Sequence, residues 1–210
     1  MKKILIIYFT IISFSSIFLI ASKNFNITDS QLNSIERKYG SSAKTRVEAW
    51  DSMIESSKNE SLLNKIKNVN DFFNQITYKT DAAHWKQKDY WATPFEFMGT
   101  GAGDCEDYAI AKYFSLIKLG IPDDKLRITY VIYKKANSRF EQAHMVLTYY
   151  HKTDAEPVIL DNINRRLELA SKRDDLKPVY SFNASGLWQA KNKGDTRVGD
   201  NNLKSWKNLI

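Results

Sequence analysis

The stretch GAGDCEDYAIAKYFSLIKLGIP, Gly101 to Pro122, decides how the chain is read. Apolar residues recur at Ile110, Phe114 and Ile117, flanked by Tyr113 and Leu116, which is the spacing of one helical face. Gly120 and Pro122 stop that helix, because glycine suits the position just past the last turn and proline cannot continue it. Gly99, Gly101 and Gly103 let the chain turn sharply into its start. Cys105, the sole cysteine, falls on the first turn. A thiol there meets unpaired N–H groups and the positive end of the helix dipole. Both favour the thiolate, and the same N–H groups can hold an oxyanion at an acyl centre. A lone cysteine is also an ordinary small buried hydrophobe. The acids around it, Asp104, Glu106 and Asp107, weigh against that here, because carboxylates resist burial and place the thiol at the surface of a cleft.

The chain has 210 residues, 43% hydrophobic and 13% aromatic, enough for one domain with a sizeable core. Its net charge of +7 is scattered, with only short clusters such as Arg165-Arg166 and Lys172-Arg173. That reads as a solvated face, and no nucleic-acid partner is expected. One cysteine excludes an internal disulfide and a zinc site built from several thiolates. Lys2-Lys3, the apolar run Ile4 to Ile20 and Ala21-Ser22 form a secretory signal over residues 1–22, or an uncleaved N-terminal anchor. Residues 23–210 are then one domain outside the cytoplasm, where a free thiol calls for a functional explanation.

Helices are expected first. Thr28 or Asp29 caps one that runs to Tyr39 and is stopped by Gly40. Ala43–Ser57 carries Val47, Trp50 and Ile54 on one face, and Ser61–Gln75 carries Leu62, Ile66, Val69 and Phe73. Thr77 to Thr100 is aromatic but aperiodic and reads as an ordered loop over the cleft, with His84 a surface residue of no role. Strands follow at Leu126–Tyr133, Ala143–Tyr150 and Pro157–Ile163, with another at Val179–Asn183 and a short helix in the tail around Trp206. Short connections imply an antiparallel meander, so the class is α+β, with the cysteine-bearing helix packed on the sheet.

A thiol nucleophile needs a base, and the base needs an orienting acceptor. Alternation puts His144, Val146 and Thr148 on one face of the second strand. Asp161 ends the third strand, and in an antiparallel pair the start of one strand lies beside the end of the next. Cys105, His144 and Asp161 therefore converge if the helix start packs on that edge. His151 lies in a turn and cannot share it.

GAGDCEDYAIAKY, LRITYV, QAHMVLTYY and VILDN, in that order and preceded by WATPFEFMGTGAG, resemble the bacterial transglutaminase-like cysteine proteinases of the LapG type. The likeness covers roughly residues 91–162. It implies a papain-like or transglutaminase-like core and a periplasmic, calcium-dependent endopeptidase. Such enzymes clip the N-terminal region of a large cell-surface adhesin beside a pair of alanines, releasing the adhesin and dispersing biofilm. It also implies sequestration by an inner-membrane, cyclic di-GMP-responsive receptor of the LapD type. By resemblance Cys105, His144 and Asp161 form the catalytic triad, and Asp104 and Glu106 match acidic positions associated with Ca²⁺. Calcium takes several oxygen ligands, so Asp107 and an acceptor from the Thr77–Thr100 stretch are further candidates. The residues alone leave two alternatives: a transglutaminase or amidase using the same triad, and a non-catalytic binding module of the same fold.

Overall fold

The computed structural model describes residues 27–152, 155–191 and 194–209. The apolar run Ile4–Ile20 lies outside them, and among the described residues no helix is long and apolar enough to cross a membrane.

Three helices come first. Helix α1 (Asp29–Tyr39) starts on a capping box in which Thr28 and Gln31 exchange bonds, and ends at Gly40 with φ 88°. Helix α2 (Ser41–Ser57) buries Val47, Trp50 and Ile54; α3 (Leu62–Phe73), capped by Ser61, buries Ile66, Val69 and Phe73. The aromatic stretch that follows is not simply a loop. Strand β1 (Thr77–Tyr78) leads to the single turn α4 (Asp81–His84) and then to α5 (Pro94–Thr100). The signal for α5 is present in the sequence as Thr93-Pro94-x-Glu96. The Thr93 hydroxyl accepts from Glu96 N–H, Glu96 accepts back from Thr93 N–H, and proline fills the first helical position. Most of the aromatics here pack against the core, and His84 is half-buried rather than on the surface.

Gly101 closes α5 at φ 69°, and strand β2 (Ala102–Gly103) pairs in parallel with β1. Gly103 has no room for a side chain: a Cβ would lie 2.3 Å from Asp107 Oδ2. Helix α6 (Cys105–Lys118) then runs through the centre of the molecule. Trp50 Nε1 donates to Ser115 Oγ at 2.9 Å, joining α2 to α6 inside the core. Trp50 is fully buried, so Trp50→Ala should cost about 3–5 kcal/mol.

The rest of the chain is a seven-stranded antiparallel sheet of order β6-β5-β4-β3-β7-β8-β9. Its strands are β3 (Leu126–Lys134), β4 (Glu141–Tyr149), β5 (Val158–Leu160), β6 (Glu168–Leu169), β7 (Leu176–Phe182), β8 (Leu187–Lys191) and β9 (Gly194–Gly199). The expected meander holds for β3–β6. The chain then crosses back so that β7 pairs with the other edge of β3, and β8 and β9 extend that side. Alternation divides the two faces. Leu126, Ile128, Met145, Leu147, Leu160 and Phe182 face the helices and complete the main core, while Thr129, Val131, Val146 and Ile159 face away. A last helical turn, α7 (Lys204–Lys207), buries Trp206 against Phe114 and Phe182.

Candidate active site

Cys105 is the first residue of α6 and is half-buried. Strand β5 pairs with β4 only from Leu147 to Tyr149, so β4 has an open edge below that point. Helix α6 packs on β4, and the backbone N–H of Met145, next in the chain after His144, is near enough to Cys105 to favour its thiolate. The thiol donates to Glu106 Oε2 at 3.0 Å.

His144 and Asp161 are brought together as the strand pattern requires. His144 Nε2 is 2.8 Å from Asp161 Oδ1, and both side chains are buried. With Nε2 engaged, Nδ1 is the ring nitrogen left to serve another group. Asp161 is held from several sides. Its carboxylate also accepts from Arg173 Nη2 at 2.6 Å and from the N–H groups of Ile163 and Asn164. Its carbonyl accepts from Asn74 Nδ2 at 2.8 Å and Lys112 Nζ at 3.1 Å. Burial alone would push the Asp161 carboxyl up. The bonds from His144, Ile163 and Arg173 outweigh it and hold the group well below the usual carboxylate range. Lys112 is fully buried, and burial brings its ammonium down to about 7 despite the nearby Asp161.

The acids flanking Cys105 are buried, contrary to the expectation that their charge would keep them in solvent: Asp104, Glu106 and Asp107 are 9%, 8% and 0% exposed. They belong to a larger cluster. Ligand atoms lie within 4.8 Å of one another in three overlapping groups: Asp104 with Cys105 and Glu106, Asp81 with Asp104 and Asp107, and Asp81 with Asp89 and Glu106. Asp107 braces the junction, accepting from Ala92 N–H at 2.8 Å and Asp104 N–H at 3.2 Å. Asp81 Oδ1 and Asp104 Oδ1 are buried and accept no bond. Burial, then the charge of Glu106, pushes Asp104 up to about 9; burial pushes Asp107 up to about 8 and raises Glu106 and Asp81. Crowded carboxylates with two orphaned oxygens fit a hard divalent cation, which takes oxygen ligands and offsets their repulsion.

The thiol's titration also differs from the simple helix-start argument. Burial, followed by the charge of Glu106 and its hydrogen bond, raises Cys105 well above the ordinary thiol value, although Met145 N–H lowers it. Burial and the carboxylates together therefore raise the thiol in this form.

All six residues singled out in the sequence gather in this region. Sequence reasoning missed Asp81 and Asp89 by name, though the stretch that supplies them was identified. It also missed Asn74, Lys112 and Arg173, the last of which is buried and not part of a solvated Lys172-Arg173 surface cluster. Only structure finds these partners, because nothing local marks them.

A thiol on the first turn of a central helix and a strand-borne histidine–aspartate pair on an antiparallel sheet are the elements of the transglutaminase-like cysteine hydrolases. The family profile of the bacterial transglutaminase-like cysteine proteinases matches residues 38–188. Calcium-bound LapG of Legionella pneumophila is 43% identical, with a TM-score of 0.73 over 86% of this chain and 96% of that one. The EGTA-treated form of LapG gives the same identity and TM-score over 94% of its chain. The chain belongs to the bacterial transglutaminase-like cysteine proteinases and is LapG-like in sequence and fold. No curated protein sequence matches it.

Proposed function

We propose that this cysteine proteinase is an exported, calcium-dependent endopeptidase that cuts the N-terminal region of a large cell-surface adhesin near a di-alanine site. The observation that carries the reading is the His144–Asp161 pair beside the residue whose N–H addresses Cys105, in a chain 43% identical to LapG.

In this reading His144 Nδ1 takes the thiol proton and Cys105 Sγ attacks the scissile carbonyl carbon. The Cys105 N–H, unpaired within the helix, is one donor to the developing oxyanion. As the tetrahedral species collapses, the carbon–nitrogen bond breaks and imidazolium protonates the leaving amine. Water, deprotonated by the same ring, hydrolyses the thioester and returns the thiol. Asp161 accepts from Nε2–H throughout and fixes the ring. Arg173, Asn74 and Lys112 act only through Asp161.

Asp104, Glu106 and Asp107, with Asp81 and Asp89, are the residues that would hold calcium. Bound calcium supplies positive charge that offsets the carboxylates beside the thiol and braces the turn entering α6. Residues 1–22, read as a secretory signal, support a periplasmic enzyme, or one on the inner membrane if the segment is uncleaved. There a LapD-type receptor responsive to cyclic di-GMP sequesters it, and its release clears adhesin and disperses biofilm. The test is incubation with adhesin N-terminal fragments, with and without a calcium chelator. Cleavage beside paired alanines that stops with chelator supports the reading. A cross-linked or deamidated product without chain cleavage overturns it in favour of acyl transfer.

A further inference from the structure

A large cavity lies away from the thiol. It occupies the face of the sheet turned away from the helices and has a volume of about 920 Å³. We propose that this cavity is a second binding site, taking an amphipathic monocarboxylate: an apolar body that ends in one carboxylate. The proposal is independent of the proteolytic reading, since binding alone tests it.

One wall is apolar: Val131, Val146 and Ile159 form a small cluster with Leu176 and Ala170. Four residues along β3 from Val131, on the same face, is Arg127, only 6% exposed, its guanidinium 4.1 Å from the Trp188 ring centroid and 4.5 Å from that of Tyr150. Rings stacked on it hold the fork rigidly and leave its edge as the bonding surface. Nη1 donates to Asp195 at 3.0 Å, while Nε is buried and has no acceptor. A second guanidinium, Arg173, also lines the cavity and is 2% exposed. Nε and Nη2 of Arg173 are taken by Asp175 and Asp161, but Nη1 is buried without a partner. Two buried cationic donors lacking acceptors in one cavity are unusual, because such groups are normally satisfied.

A carboxylate offers two acceptor oxygens for one charge. Asp195, Asp175 and Asp161 already offset Arg127 and Arg173; the third lining guanidinium, Arg197, pairs with Asp200, and Glu156 adds another lining acid. That balance disfavours a dianion such as sulfate. The volume lies within the range of small-molecule sites, which join an apolar lining to a few polar groups. A free fatty acid and a polypeptide C-terminus both carry this chemistry.

The experiment titrates the full chain with octanoate by calorimetry, beside octanamide, octanol and sulfate. An apolar tripeptide with a free or an amidated C-terminus distinguishes the two sources. Octanoate, the free-acid tripeptide or both should bind saturably, and the neutral analogues and sulfate at least tenfold more weakly. Arg127→Met removes one donor, and a bond to a charged group is worth on the order of tenfold. Ala170→Phe fills the cavity and leaves every charge in place, so it carries the test if Arg127→Met does not fold. Kd should rise at least tenfold in each folded variant. No saturable binding of either carboxylate overturns the proposal, as does an unchanged Kd in Ala170→Phe. Octanamide binding as well as octanoate would overturn the carboxylate assignment.

Discussion

Replacing Arg173 by methionine tests how Asp161 is held. The guanidinium reaches Asp161 Oδ2 at 2.6 Å and Asp175 at 2.8 and 2.9 Å, and the Asp161 side chain is wholly buried. Removing one partner of a buried ion pair costs about 3–5 kcal/mol, because the other charge stays buried. Asp175 is partly exposed and can rehydrate, and His144 still donates to Asp161, so the lower end, about 3 kcal/mol, is expected at neutral pH. For a domain of this size that lowers Tm by roughly 6–12 °C. The loss has a defined pH dependence. The folded pKa of Asp161 is depressed, so its contribution is fully present above the unfolded carboxylate value of about 3.9 and is lost as pH falls through the lower folded value. The gap between wild type and Arg173→Met should therefore narrow in acid. Arg173→Lys, which keeps the charge but not the fork, should recover part of it. Urea unfolding at a series of pH values measures this. Equal midpoints at neutral pH, or a gap that widens toward acid, would refute the reasoning.

Cys105→Ala should abolish cleavage of an adhesin fragment and leave the unfolding free energy from urea titration within about 1 kcal/mol of wild type, since a small, half-buried side chain is lost. His144→Ala should likewise stop single-turnover cleavage, whereas His151→Ala, at an exposed turn, should leave it intact. Added calcium should raise the thermal midpoint, because an ion that binds only the folded state shifts unfolding; Asp104→Ala should lose that shift in calorimetry and thermal scans. Lys112, brought down to about 7 by burial, loses its charge in the folded chain above about pH 7 while still charged in the unfolded one up to the ordinary lysine value near 10.4. Wild-type stability should therefore rise relative to Lys112→Met between about pH 7 and pH 9, as urea midpoints would show.

What could be read in advance was local. The helix from Cys105 was legible because its apolar period and its Gly120 and Pro122 stop all lie within one short stretch. The meeting of His144 with Asp161 was legible because a hairpin fixes register, and the observed pairing of Leu147 with Leu160 brings the two side chains to one edge. The return of β7 to β3 was not legible: a crossover has no local signature, and β8 and β9 follow from it. Asp161 draws on Arg173, Lys112 and Asn74, which lie 12, 49 and 87 positions away. None is distinguishable in sequence from a solvated polar residue, because only tertiary packing buries it.

The thiol shows why composition near a nucleophile does not fix its state. A helix start favours the anion, and Met145 N–H adds to that; Glu106 and Asp104 oppose it, one on each side in sequence. Geometry decides the sign, since these carboxylates lie in a buried cluster with Asp81, where water screens them poorly. The helix term is fixed by the fold, whereas the carboxylate term can be cancelled by one divalent cation among the same oxygens. Under the proposed function, cation occupancy therefore moves the thiol toward the nucleophilic anion, against the burial that remains its largest opposing cause, without any change in the His144–Asp161 pair. Iodoacetamide labelling of Cys105 at neutral pH should then quicken on adding calcium to wild type and stay slow in Asp104→Ala. Equal labelling rates with and without calcium in wild type would separate the cluster from the chemistry and leave it a brace for the start of α6.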